Sequence, residues 1–109
     1  MTDAAVTVLE SGPEQLVLGL SGEVDLDNVA HVEEALHRAI DNRTGAVTLD
    51  FAGLEYIDSA GLRCLFTLAH RLELLQVGLD ARVPARSPVR RAMELSGLDR
   101  ALRLTVAGA

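Results

Sequence analysis

Three kinds of side chain in this sequence carry reactive chemistry: the serine of Asp58-Ser59-Ala60-Gly61, the histidines at 31, 37 and 70, and the thiol of Cys64. A serine attacks a substrate only when a base takes its proton and an oxyanion site receives the developing charge. His70 lies eleven residues past Ser59 on what reads as the same helix, about 16 Å along its axis, and cannot reach it. His31 and His37 belong to an earlier helix, and no Gly-x-Ser-x-Gly elbow supports a nucleophile. The histidines therefore read as helix-surface residues, and Cys64 as a core or half-buried residue of the second helix. No phosphate-cradling glycine loop is present, and a single cysteine excludes an intrachain disulfide and a multi-thiolate zinc cage. The expectation is a protein that is not an enzyme, with no metal site and no cofactor. What remains for Ser59 is its own hydroxyl.

That hydroxyl must be placed by its neighbours. Val6-Thr7-Val8-Leu9 reads as a short strand, Ser11 to Glu14 as a turn, and Gln15 to Ser21 as a second strand with Leu16, Leu18 and Leu20 on one face. From Asp27 the period becomes helical: Val29, Val32, Leu36, Ala39 and Ile40 form a stripe opposed by Glu33, Glu34 and Arg38, ending near Asn42. Ala46 to Phe51 returns to alternation. A short loop then leads into a helix whose apolar face carries Leu62, Leu65, Phe66, Ala69 and Leu72. Leu79 to Val83 reads as a fourth strand. Ser87 and Pro88 offer an N-cap and a first-turn proline for a helix over Val89 to Ser96, with Val89, Ala92 and Met93 inward and Gly97 as its stop. The pattern allows a last strand over Leu102 to Val106. This order predicts an α/β fold, a mixed sheet of four to five strands with amphipathic helices packed on it.

The bulk composition narrows the function. The chain has 109 residues, the length of one domain over 1–109, and carries a formal charge of −6. With one Tyr, two Phe and no Trp, it offers neither the basic surface nor the stacking platforms of a nucleic-acid binder. No run approaches the ~20 apolar residues of a membrane span, and the N-terminus lacks the pattern of a secretory signal, so a cytoplasmic location away from membranes is expected. Every basic residue is arginine, a bias of GC-rich, actinobacterial coding sequences.

Asp58 or Ser59 is the natural N-cap of the second helix, and a serine there has two readings. It caps the helix and nothing more, or it holds a hydroxyl at the positive end of a helix, where first-turn N–H groups receive a phosphate. Position alone does not separate the two.

Tyr56-Ile57-Asp58-Ser59-Ala60-Gly61-Leu62 resembles the Asp-Ser-x-Gly-Leu signature of anti-sigma factor antagonists of the STAS family. Leu20-Ser21-Gly22-Glu23-Val24-Asp25 is similar to the family's Gly-Glu-aliphatic-Asp block, and Ser87 to Leu98 to its last-helix block. The resemblance implies a STAS fold that binds an anti-sigma factor serine kinase and frees the sigma factor, until that kinase phosphorylates Ser59. A serine phosphatase would reverse the modification, and the free domain is expected to be monomeric. By the same resemblance Asp25 sits beside the serine and aids kinase recognition and phosphoryl transfer; Asp27 and Asn28 are expected to make rim contacts, and Asp58, Ala60, Gly61 and Arg63 to share the partner-binding surface with Ser59. Asp25 also admits a plain turn or helix-end role, and Asp27 and Asn28 are good capping residues. Asp58 either caps the helix or positions the hydroxyl, Gly61 allows close approach of backbones, and Arg63 points outward. Many relatives carry a second hydroxyl where this chain has Ala60, which leaves Ser59 as the sole acceptor of the motif. A STAS binding module without a phosphorylation cycle, in a lipid-transport or larger signalling complex, is the alternative.

Overall fold

A computed structural model of the chain describes residues 3–107. In chain order the elements are β1 (Ala4–Ser11), β2 (Gln15–Val24), α1 (Val29–Ala39), β3 (Ala46–Ile57), α2 (Ser59–Leu74), β4 (Gly78–Pro84), α3 (Arg90–Ser96), α4 (Leu98–Ala101) and β5 (Leu104–Ala107). The strands lie in one mixed sheet in sequence order, β1 antiparallel to β2 and every later neighbour parallel. Leu16, Leu18 and Leu20 of β2, Val47, Leu49 and Phe51 of β3, and Leu79, Ala81 and Val83 of β4 alternate into a single core cluster. Val32, Leu36, Leu65, Leu68, Leu72, Met93 and Leu98 of the helices join them. The opposite sheet face is not covered in this way. Parallel sheets are normally buried on both faces; here the bare face carries the pairs Arg82–Asp50 at 3.4 Å and Arg103–Asp80 at 3.1 Å, together with the half-exposed Leu9 lying over Gly19.

Several expected boundaries move, each for a local reason. The segment after Phe51 is strand, not loop: β3 runs to Ile57. Two bulges conceal this in the sequence. While β2 advances from Gly19 to Ser21, β3 advances from Asp50 to Gly53, and a second extra residue enters between Leu54 and Tyr56. Each bulge shifts the buried position by one, so the core residues follow as Phe51, Leu54 and Ile57 and the period of two is lost. On α2 the buried stripe is Gly61, Cys64, Leu65, Leu68 and Leu72, while Phe66, expected inward, is exposed. The helix is rotated so that the residue without a Cβ faces the sheet. α1 ends at Ala39 because Ile40 is already extended, though still buried. Ser87 does not cap α3: its Oγ accepts from the Val89 N–H at 3.3 Å inside a turn that precedes the helix. The short α4, with Leu98 buried, was not expected after Gly97.

The end of α2 is closed by a Schellman arrangement. The Gln76 N–H donates to the Glu73 carbonyl at 3.1 Å and the Val77 N–H to that of Leu72 at 2.9 Å. Gln76 occupies the position usually held by glycine, at φ 58, a left-handed conformation that costs a residue with a Cβ about 1 kcal/mol. Gln76→Gly is therefore expected to stabilise the protein by about 0.5 kcal/mol after the added unfolded-state entropy is counted. Urea unfolding measures it, and a lower midpoint would contradict the strain.

Cys64 faces α1 from α2 and is 5% exposed. Burial first, then the nearby Glu33 carboxylate and a hydrogen bond with it, push its thiol up from 9.0 to about 11. At pH 8 only about one thiol in a thousand is ionised, so a disulfide reagent should modify the native protein far more slowly than the urea-unfolded one. As pH rises from 9.0 to about 11, the unfolded chain loses this proton before the folded one does. Stability present below pH 9 should decline across that window, and a Cys64→Ala variant should lose that part of the decline.

Candidate functional site

The parallel pairing of β2 with β3 ends with Val24 opposite Ile57, and the Asp58 N–H extends it by donating to the Val24 carbonyl at 3.1 Å. The loop after β2 and the start of α2 therefore leave the sheet side by side, at the carboxyl ends of parallel strands, where open α/β sheets place their binding sites. Asp58 is the N-cap: its Oδ1 accepts from the Gly61 N–H at 3.0 Å. Its Oδ2 accepts from the Leu26 N–H at 3.1 Å, across 32 positions of sequence. Ser59 follows as the first helical residue, exposed, its hydroxyl in no hydrogen bond among the described residues. The cap is thus Asp58, and Ser59 has no capping duty.

The Asp25–Asn28 loop is built from its own polar groups. Asp25 Oδ1 accepts from the Asp27 N–H at 3.0 Å, and the Asp25 carbonyl accepts from the Val29 N–H at 2.9 Å. Asn28 Oδ1 accepts from the Asp25 N–H at 3.1 Å while its Nδ2 donates to the Glu23 carbonyl at 2.7 Å. Asn28 precedes α1 without a side-chain cap bond; it ties the loop back to β2. Asp27 is exposed, and its expected capping role is likewise not seen. The geometry brings Asp25 and Asp58 into one acidic rim, with Arg63 exposed one turn beyond Ser59 on α2.

Gly61 is where α2 comes nearest the sheet. A Cβ there would lie 2.6 Å from Ile57 Cγ1 and 2.9 Å from Val24 Cγ1. The tight neighbours are side chains, not the backbones expected from sequence. Ala60 is half-buried beside it. One residue not singled out from sequence belongs to the same surface: Leu26, 76% exposed, whose amide is held by Asp58. Leu26 was detectable as an apolar residue between two aspartates, outside the periodicity of either flanking element.

The histidines stay apart from this site. His31 and His70 are exposed, whereas His37 is half-buried with Nδ1 against the Arg71 guanidinium between α1 and α2. Among the described residues no group of three or more His, Cys, Asp or Glu could hold a metal ion. Nor is any described helix long and apolar enough to cross a membrane.

The family model for the STAS domain described as Mlab matches residues 7–106. The chain belongs to the STAS family. A relative, the anti-sigma-F factor antagonist RsfB of Mycobacterium tuberculosis, is 33% identical over 89 residues, 81% of this chain and 70% of that one. The crystal structure of an anti-sigma factor antagonist from Mycobacterium paratuberculosis superposes with a TM-score of 0.79 at 26% identity, over 96% of this chain and 87% of the other. The unphosphorylated form of the anti-sigma factor antagonist SpoIIAA shares the fold, with a TM-score of 0.73 at 24% identity over 95% and 89% of the two chains.

Gly61→Ala tests the close approach. Alanine is the better helix former by about 1 kcal/mol, yet overpacking against Val24 and Ile57 should dominate and destabilise the STAS domain by about 1–3 kcal/mol. Thermal unfolding decides it: a melting temperature at or above wild type would show that α2 has room to spare.

Proposed function

We propose that this STAS domain is an anti-sigma factor antagonist: it binds a cognate anti-sigma factor, frees the sigma factor, and is switched off by phosphorylation of Ser59. The observation that carries the reading is the division of labour at the start of α2. Asp58 caps the helix, so the exposed Ser59 hydroxyl serves no structural purpose and is open to an incoming kinase. The partner is then an anti-sigma factor that is also a serine kinase, with a serine phosphatase resetting the switch in the cytoplasm. The domain itself acts by binding, not by catalysis, and contacts no nucleic acid directly.

The physical consequences of the modification are asymmetric. In the free domain a phosphate at a helix N-terminus is favoured by about 0.3–1 kcal/mol, and Arg63 one turn on is placed to add to this. In the complex the same phosphate brings close to two negative charges to a desolvated contact. An unpaired charge there costs ~2–5 kcal/mol, roughly 30- to several-thousand-fold in affinity. Phosphorylation therefore ends binding without unfolding the domain. Asp25, Asp27 and Asp58 give the surface an acidic character that suits a basic partner, with Asn28, Ala60, Gly61 and Arg63 completing the contact region.

A pull-down from host lysate with wild-type, Ser59→Ala and Ser59→Asp baits, with partners and Ser59 phosphate identified by mass, tests the proposal. A kinase-type anti-sigma factor should be retained by wild type and Ser59→Ala and lost with Ser59→Asp. Its binding should weaken as salt rises. Partners indifferent to charge at position 59 would overturn the switch and leave a plain STAS binding module.

A further inference from the structure

We infer that Asp58 is a positioning residue that ties the Asp25–Asn28 loop to the start of α2, so that the exposed Leu26 and Ser59 are presented to one partner as a single preset surface. This inference rests on the antagonist reading for its partner, but its geometry belongs to the free domain. The two carboxylate oxygens of Asp58 serve different elements: Oδ1 takes the Gly61 N–H of α2 at 3.0 Å, and Oδ2 takes the Leu26 N–H of the loop at 3.1 Å. A helix cap needs only the first of these bonds. The second reaches 32 positions back in the chain to an amide on the exposed side of the loop.

Local bonds joining residues 23 to 29 run through the loop as well. They shape it, the Asp58 N–H holds its root through the Val24 carbonyl at 3.1 Å, and Asp58 Oδ2 reaches its exposed part at Leu26. The residue so held is Leu26, whose side chain stands 76% exposed at the loop tip. An apolar side chain is a costly thing to present to water, and a preset one saves the partner the cost of ordering it on binding. Leu26 is therefore the apolar anchor beside Ser59, and Asp58 acts through it.

Substitutions separate the cap from the brace. Serine caps a helix as well as aspartate does, but its single short hydroxyl cannot also serve Leu26. In Asp58→Ser, hydrogen exchange followed by NMR on the free, full-length domain should show the Gly61 amide protected as in wild type. The Leu26 amide should exchange roughly ten- to a hundredfold faster, the loss expected for one hydrogen bond to a charged acceptor. Asp58→Asn, with one acceptor oxygen in place of two, should lose protection at one of the two amides and not at both. Wild-type exchange at Leu26 in Asp58→Ser would overturn the brace whatever the partner proves to be.

The functional half is read with the anti-sigma factor recovered by the wild-type bait. Leu26→Ala and Asp58→Ser should each weaken binding about tenfold or more, and the double variant should weaken it little further, since both act through one side chain. Additive losses, or no loss with Leu26→Ala, would overturn the anchoring role. If no anti-sigma factor binds the wild type, the antagonist reading and the anchoring role fall together, and the exchange data still decide the brace.

Discussion

The parallel register between β2 and β3 is the constraint on which the rest of this structure depends. It runs through two bulges to bring Val24 opposite Ile57, and so two loops far apart in the chain leave the sheet within hydrogen-bonding reach of one another. A slip of one residue would turn the buried leucines of β2 outward and part Asp58 from Leu26. The register is held because Leu16, Leu18 and Leu20 have only one face to bury against, the face that carries α1 and α2. Core packing thus sets the geometry of the surface.

Gly61 transmits that geometry into the helix. The space a Cβ would need is filled by Val24 and Ile57, the terminal core residues of the neighbouring strands β2 and β3. α2 can lie this close, and rotated this way, only with glycine at 61. The rotation in turn leaves Ser59 exposed while Cys64, Leu65, Leu68 and Leu72 are buried. A small residue chosen for packing therefore decides which hydroxyl the domain shows to solvent, which connects the core to the proposed switch.

The uncovered sheet face shows how a single layer of helices suffices. Parallel strands with one bare face would invite association, and the pairs Asp50–Arg82 and Asp80–Arg103 place charge there instead. Exposed ion pairs of this kind contribute little to stability; their effect is to set charge on a face that also exposes Leu9. The apolar exposure the domain carries beside Ser59, at Leu26, lies at another kind of surface, where a partner can cover it.

Much of this was legible in the residues. Alternation in Gln15 to Ser21 and Ala46 to Phe51, and the helical stripe through Val32 and Leu36, follow from a side-chain period set by each element's own backbone, and the sheet and its two long helices were read from them. The helix start at Asp58-Ser59 was legible for the same local reason, as a cap and a first turn lie within four residues, while its reading as a functional site came from the resemblance to the STAS signature. The reading failed where long-range contacts override the local period. The bulges in β3 exist only relative to β2, the rotation of α2 depends on Val24 lying beside Gly61, and Phe66 turned out exposed as a result. Whether Asp58 or Ser59 was the cap was open in the sequence, because both residue types suit that position. The structure assigns the cap to Asp58 through the Gly61 N–H, and tertiary structure alone adds the Leu26 amide on its other oxygen, a contact between residues 32 apart that no periodicity encodes.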